Sequence, residues 1–330
     1  MKYLFFALSF ISFIITLYLT PWIIRYMRRI GVVVKDQNKK KQPLVPISGG
    51  FTVLAGVFMA LMFIIFIKTF FYNSTEELIS LLAAVISITF ITLVGFIDDL
   101  LIKKSRESSA GLRQWQKPLL TLSAAIPLMV VNAGTRIIDL PFLGITDVGL
   151  IYPLMIIPIG FVVSANMVNM LAGFNGMETG MGLVYTFALG LYSLFYGTQA
   201  GAIIAFAVFG SLAAFYLYNK FPAKILPGDS LTYLLGGAIA CIAIVGNIER
   251  AAIIVSIPFF IEFFLKVRSR LKAQSFGYEK NGRIYSRYPK IYSIPHIFTR
   301  TGKFTEKQIT LFMVLIEIFF CAIIWFLPIS

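Results

Sequence analysis

Apolar runs of about 20 residues, separated by short polar or basic stretches, set the pattern of this chain. A helix needs roughly 20 apolar residues to cross the hydrocarbon layer of a membrane. Ten segments qualify, with loose boundaries: 3–24, 47–71, 78–97, 117–133, 150–169, 181–197, 199–218, 229–247, 251–268 and 309–328. The fourth and sixth are short, which leaves the count open by one. The pattern predicts an all-α fold, a polytopic membrane bundle of about ten transmembrane helices forming a single domain over residues 1–330. Polar sequence gathers in loops at about 25–46, 98–117, 170–180, 219–228 and 269–308, and no internal repeat interrupts the order. The opening apolar run continues to Ile24 and ends in a basic cluster, so it reads as a retained first helix rather than a cleaved signal.

Composition agrees with that reading. The chain is 58% hydrophobic and only 13% charged, against roughly a quarter charged in soluble domains. Cys241 and Cys321 lie in apolar segments and form neither a disulfide framework nor a zinc motif. Charge then orients the bundle. With ten spans, the loops after spans 1, 3, 5, 7 and 9 share one side and hold 25 of the 29 Lys and Arg; only Lys2, Lys68, Arg136 and Arg250 fall on the other. The positive-inside rule places the odd loops in the cytoplasm and both termini outside, as expected for the plasma membrane of a prokaryote. Topology and anionic lipid account for the net charge of +14. The basic residues belong to short interhelical loops, so no nucleic-acid partner is expected.

The chemistry-bearing residues lie on the same side. The run from Ser164 to Gly182, SANMVNMLAGFNGMETGMG, places Asn166, Asn169, Asn175 and Glu178 where the fifth span emerges. Unpaired amides in hydrocarbon are costly, so the run marks either a polar pocket or small-residue helix packing with satisfied amides. Asp98 and Asp99 end the third span in GFIDDL, Asp229 opens the eighth in LPGDS, and His296, the only histidine, lies in the last loop. Each acid also has a plain reading, since Asp98 and Asp99 can end a helix and Asp229 can cap one. Together they offer hard carboxylate oxygens suited to Mg²⁺ or Mn²⁺. Asn166 and Asn169 share a face if the helix continues through them. Lys103, Lys104, Arg106, Arg113 and Lys117 supply cations for phosphate. A divalent metal, carboxylates and lysines fit phosphoryl transfer. Trp22 and Trp325 read as interface anchors, and Glu262 and Glu317, inside predicted spans, stay outside the site.

These motifs resemble the polyprenyl-phosphate N-acetylhexosamine-1-phosphate transferases. The resemblance covers nearly the whole chain in motif order: KDQNKKKQPLVPISGG, GFIDDL, NMVNMLAGFNGMETG, FPAKILPGDS and IYSIPHIF. Ala172-Gly173 stands where bacterial cell-wall members usually carry Asp-Gly. The block is thus similar to the eukaryotic and archaeal branch that makes GlcNAc-diphospho-dolichol for N-glycosylation. That branch uses UDP-GlcNAc, dolichyl phosphate and Mg²⁺, and releases UMP. The resemblance implies that Asp229 and Asn169 are metal ligands and that Asp98 and Asp99 lie beside the reacting phosphates. It implies that Lys117 contacts phosphate, although its spacing from the acidic pair is longer than in the eukaryotic enzymes. It assigns Asn166, Asn175 and Glu178 to the nucleotide-sugar pocket, Asn38 to its border and His296 to the sugar-binding last loop. Pro295 and Ile297 flank that histidine where the eukaryotic enzymes have arginines, with Arg287 and Arg300 as substitutes. Members of the family often pair, so a homodimer is expected.

Several alternatives stay open. A membrane transporter or lipid flippase would also have many helices and intramembrane polar groups, though such proteins place their sites near the midplane of related halves. Within the enzyme reading, another UDP-N-acetylhexosamine, undecaprenyl phosphate as acceptor, and an aspartyl-phosphate intermediate remain alternatives.

Overall fold

The computed structural model describes residues 2–75, 77–102, 111–140 and 144–326. The chain is mostly helical. Its order is α1 (Lys2–Ile30), β1 (Val33–Lys35), β2 (Leu44–Pro46), α2 (Gly50–Phe70), α3 (Leu78–Ile102), α4 (Gln116–Val130), β3 (Ile137–Leu140), β4 (Gly144–Asp147), a π-helical turn (Tyr152–Ile156) leading into α5 (Ile157–Met170), α6 (Met177–Tyr196), α7 (Gln199–Asn219), α8 (Gly228–Gly246), α9 (Glu249–Val255), α10 (Ile257–Val267), β5 (Tyr278–Lys280), β6 (Arg283–Tyr285), α11 (Pro295–Thr299) and α12 (Glu306–Ile323). The strands form three antiparallel pairs, β1–β2, β3–β4 and β5–β6, so the expected all-α fold gains three small hairpins in its loops.

Seven helices among the described residues are long and apolar enough to cross a membrane, as suits an integral membrane protein. The expected count of about ten is not reached. All ten predicted segments are helical, but three differ in character. α4 has only 15 residues. α6 begins with the polar and glycine-rich turn METGMG. The ninth segment is broken at Ser256 into α9 and α10, where Pro258 lacks the N–H that a continuous helix would use.

α8 is the axis of the bundle. Every residue from Ser230 to Gly246 is buried, which is why this segment is apolar on all faces rather than amphipathic. α3, α5, α7 and α2 pack around it. Two glycines bring backbones together: a Cβ at Gly95 on α3 would meet the Asp229 carbonyl, and one at Gly236 on α8 would meet Ser164 and Ala165 of α5. Outward-facing Phe, Leu and Ile form the periphery that meets lipid. Trp325 packs with Tyr192, Phe195 and Tyr196 at one end of the bundle, and Trp22 stacks on Tyr26 near the other, in keeping with anchors at two interfaces.

All five odd loops converge at one end. Gly49 N donates to Leu226 O and Leu226 N to Pro46 O. Asn38 Nδ2 donates to Gly173 O, Ala223 N to Asn175 Oδ1, and Gln114 Nε2 to Leu271 O. The even connections close the opposite end.

Candidate active site

Asp98 and Asp99 occupy the last turn of α3, and Asp229 the first turn of α8. The α3–α8 contact through Gly95 carries these turns past one another. Asp99 is fully buried. Its Oδ1 accepts from Asp229 N at 2.7 Å; its Oδ2 accepts from Ser48 Oγ at 2.8 Å and Ser230 N at 3.2 Å. It therefore caps the N-terminus of α8 from another helix, satisfying donors that a helix leaves free. The arrangement needs unusual backbone on both sides. Gly228 has φ +71°, and a Cβ there would meet both the Asp99 carboxylate and Ser48 N. Ser48 itself holds φ +74°, a costly conformation for a residue with a side chain, fixed here by the bond to Asp99. Asp99 is occupied as a positioning group rather than facing a substrate.

Asp98 is equally buried but is paired with a residue of the cavity lining, Lys117. Its Oδ1 accepts from Leu112 N at 2.5 Å. Lys117 Nζ, at the start of α4, stands 2.6 Å from Asp98 Oδ2 and 3.0 Å from Asp229 Oδ2, bridging the two carboxylates. Asn169 Nδ2 reaches Asp229 Oδ2 at 3.5 Å, and Asn169 Oδ1 accepts from Thr232 Oγ1 at 2.7 Å. Four sequence-predicted residues thus form one cluster, with a cation between two acids.

Lys117, Asp229 and Asn169 line a cavity of about 720 Å³, with Asp98 buried directly behind Lys117. The polar wall comes from the asparagine block, with Asn166, Asn169, Gly173, Asn175 and Glu178. The apolar wall comes from Phe260, Phe263 and Phe264 of α10 with Val162 and Val163 of α5. Lys35, Lys117 and Lys266 are its lysines. An elongated amphiphile fits such a lining, with its charged end at the acids.

The remaining predicted residues divide by what they touch. Asn166 lines the cavity, with Nδ2 donating to Thr121 Oγ1 at 3.0 Å and Val162 O at 2.8 Å. Glu178 Oε1 accepts from Gly173 N at 2.6 Å, and its Oε2 has no hydrogen-bond partner among the described residues. Asn175 lines the cavity, yet its side chain is a junction: Nδ2 donates to Asp36 Oδ2 at 3.1 Å and Oδ1 accepts from Ala223 N at 2.8 Å. Asn38 lies outside the lining. It ties the asparagine block to the last loop, donating to Gly173 O at 2.6 Å and accepting from Gly277 N at 3.0 Å.

His296 is also behind the wall, in place of the expected contact with a sugar. It is fully buried. Nδ1 accepts from Tyr292 N at 3.2 Å and Nε2 pairs with Gln274 O at 2.9 Å, so the neutral Nε2–H tautomer satisfies both. Burial pushes its pKa down to about 4. Of its expected companions, Arg287 lies over the ring of the cavity residue Phe276 and donates to Gln37 Oε1 and Gly277 O. Lys103, Lys104 and Arg106 lie outside the described residues.

Three participants had no signal in the sequence beyond their proximity to motifs. Ser48 and Thr232 hold Asp99 and Asn169. Glu306 at the start of α12 accepts from Asn175 N and pairs with Lys39, which also reaches Asp36 at 3.4 Å. No group of three or more His, Cys, Asp or Glu capable of holding a metal occurs among the described residues. The donor set is two carboxylates and an amide. That set suits Mg²⁺, which keeps several waters and takes one or two carboxylates together with substrate phosphates. The ammonium of Lys117 between Asp98 and Asp229 marks the place that draws positive charge.

Comparison with known proteins identifies relatives over most of the chain. Residues 81–247 match glycosyl transferase family 4. A protein of Saccharolobus solfataricus, provisionally named a UDP-N-acetylglucosamine–dolichyl-phosphate N-acetylglucosaminephosphotransferase, is 36% identical over 95% of this chain and 93% of its own length. A protein of Sulfolobus acidocaldarius with the same provisional name is 33% identical over 94% of this chain and 92% of its own. A phospho-N-acetylmuramoyl-pentapeptide-transferase of Listeria monocytogenes is 30% identical over 76% of this chain and 78% of its own.

Proposed function

The chain belongs to glycosyl transferase family 4, and on that premise we propose that it transfers GlcNAc-1-phosphate from UDP-GlcNAc to dolichyl phosphate. The products are GlcNAc-diphospho-dolichol and UMP, in the first step of lipid-linked oligosaccharide assembly for N-glycosylation. The names of the two archaeal relatives supply the substrates. The observation that carries the reading is the Asp98–Lys117–Asp229–Asn169 cluster where the polar and apolar walls of one cavity meet. A phosphate on a lipid tail and the pyrophosphate of a nucleotide sugar must meet at such a junction.

In this reading an oxygen of the lipid phosphate attacks the β-phosphorus of UDP-GlcNAc, the new P–O bond forms, and the bond to UMP breaks. Asp229, Asp98 and Asn169 would hold Mg²⁺, which when bound offsets the charge of the phosphates and of the leaving UMP. Lys117 lies within reach of both carboxylates and supplies a second positive charge to the same oxygens. The lipid phosphate is already largely ionised near neutral pH, so Asp98 serves charge placement rather than proton abstraction, and Asp99 holds the α8 turn that aims Asp229. Glu178 Oε2, buried and unpartnered, offers an acceptor to the nucleotide sugar. The convergence of all five odd loops supports ten crossings, with this end in the cytoplasm where the basic loops belong.

The test is UMP release by purified protein in detergent with UDP-GlcNAc, dolichyl phosphate and Mg²⁺. Release that requires both substrates and stops with EDTA supports the proposal. Release only with undecaprenyl phosphate or another UDP-N-acetylhexosamine keeps the chemistry and changes the substrate. No release in any combination overturns it.

A further inference from the structure

Residues 273–276 form the cavity wall contributed by the last loop, and all four face the cavity. The segment has no regular secondary structure to hold it, yet it is suspended from several sides. His296 takes Gln274 O from one side, and Asn38 takes Gly277 N just beyond. Tyr288 Oη accepts from Gln274 N and Ser269 Oγ from Ala273 N, and a further support is an ion pair on α10. Lys266 Nζ donates to Ala273 O and to Ser275 Oγ, each at 2.8 Å, and stands 3.5 Å from Glu262 Oε1, one turn earlier. Glu262 Oε2 accepts from Ile294 N at 2.8 Å, at the far end of the last loop. Ser275 Oγ lies 3.3 Å from both Glu262 Oε1 and Met170 O, where α5 ends. Glu262 is fully buried and Lys266 nearly so.

A buried ion pair is seldom retained for stability alone, because desolvation offsets its attraction. This one takes hold of the last loop at two separate points, Ala273–Ser275 and Ile294. It also sits beside Phe260, Phe263 and Phe264 on the same helix, which line the apolar wall. The wall segment in turn sets Phe276 against Gly173 of the asparagine block: a Cβ on Gly173 would stand 3.2 Å from the Phe276 ring. We propose that Glu262 and Lys266 are a positioning pair that holds segment 273–276 in register with the asparagine block and so sets affinity for the nucleotide sugar. The proposal rests on the nucleotide sugar occupying the polar wall, as proposed above. The pair acts through the backbone of Ala273 and Ile294 and the hydroxyl of Ser275.

The experiment measures UDP-GlcNAc binding by calorimetry without lipid acceptor, alongside UMP-release kinetics, for Lys266→Met, Lys266→Arg, Glu262→Gln and Ser275→Ala. Lys266→Met is expected to weaken binding and raise KM for UDP-GlcNAc about tenfold, the scale of one charge-assisted hydrogen bond, with kcat within about twofold. Lys266→Arg restores most of the loss. Ser275→Ala removes one anchor without unpairing a buried charge and gives a smaller rise of about threefold, so the proposal stays testable if Lys266→Met fails to fold. Wild-type binding and KM in folded Lys266→Met or in Ser275→Ala overturn the proposal, as does a loss confined to kcat. A wild-type protein that binds UDP-GlcNAc but releases no UMP removes the transferase reading, and weakened binding in the variants would still support the positioning pair.

Discussion

The two ends of the bundle solve the same problem differently. At the even end, contacts between neighbouring connections close the helix termini. Thr198 caps α7 by accepting from Gly201 N, Glu77 takes Ala200 N and Lys68, and Tyr152 donates to Glu249. Glu77, Asp147 and Glu249 are each used up in closing this end. At the odd end, long loops are stitched to one another by Asn38, Asn175 and Asp99, and the stitching leaves Asp229 and Lys117 facing a cavity with Asp98 buried behind them. Both ends satisfy their backbone groups. Both do so partly with residues distant in the chain, but only the odd end retains charge on a cavity.

The largest effect should come from the retained charge. Asp229→Ala is expected to lower UMP release at least about a hundredfold under saturating Mg²⁺ while the protein still inserts and melts normally. Wild-type turnover in that variant would sink the ligand assignment. Asp99→Asn comes next. It places an amide among three donors, so a drop of about 1–3 kcal/mol in stability should accompany a fall in kcat that extra Mg²⁺ does not restore. Full rescue by Mg²⁺ would make Asp99 a ligand rather than the cap of α8.

The loop supports give a pH signature. His296 has its pKa pushed down to about 4 by burial, against about 6.5 in an unfolded chain. The unfolded chain therefore takes the proton first, and stability is present above pH 6.5 and lost as pH falls from there toward 4, by up to about 3 kcal/mol. Thermal melts of the wild type and His296→Gln across that window should show a flatter curve in the variant; parallel curves would remove this residue as the source. The smallest effect belongs to the even end. Glu249→Gln should cost about 1 kcal/mol and leave KM and kcat unchanged within about twofold. A shifted KM for UDP-GlcNAc would break the distinction between the ends.

Much of the site was legible because its residues stand at helix termini. Asp98, Asn169 and Asp229 end or begin apolar runs, and alternation of loops puts them at one end without any knowledge of packing. What each side chain does there was less legible. Asp99 and Asp98 are adjacent and chemically identical, and only the approach of α8 separates a cap from a site acid. Asn38 and His296 carry motif signals, yet they bond backbone of loops whose path is set by the whole fold. Glu262 looked like an isolated acid in an apolar run because its partners are backbone groups and a lysine one turn away. The helix count suffers from the same limit: α4 is short, and the α9–α10 break at Ser256 leaves two pieces, each too brief to meet a spanning length.

The bond between Asp99 and the start of α8 joins residues 130 positions apart. At a synthesis rate of about 5–20 residues per second, roughly 7–26 seconds separate the appearance of the acid from that of the amides that satisfy it. During that interval α3 is already complete, ending in two carboxylates with no helix N-terminus to receive them. Leu112 N and Lys117 follow within 19 residues to meet Asp98, but water at the membrane surface must solvate Asp99 until the eighth helix arrives. The order of biogenesis thus favours an acidic pair at the rim of its span over one nearer the midplane, because only the rim tolerates the wait.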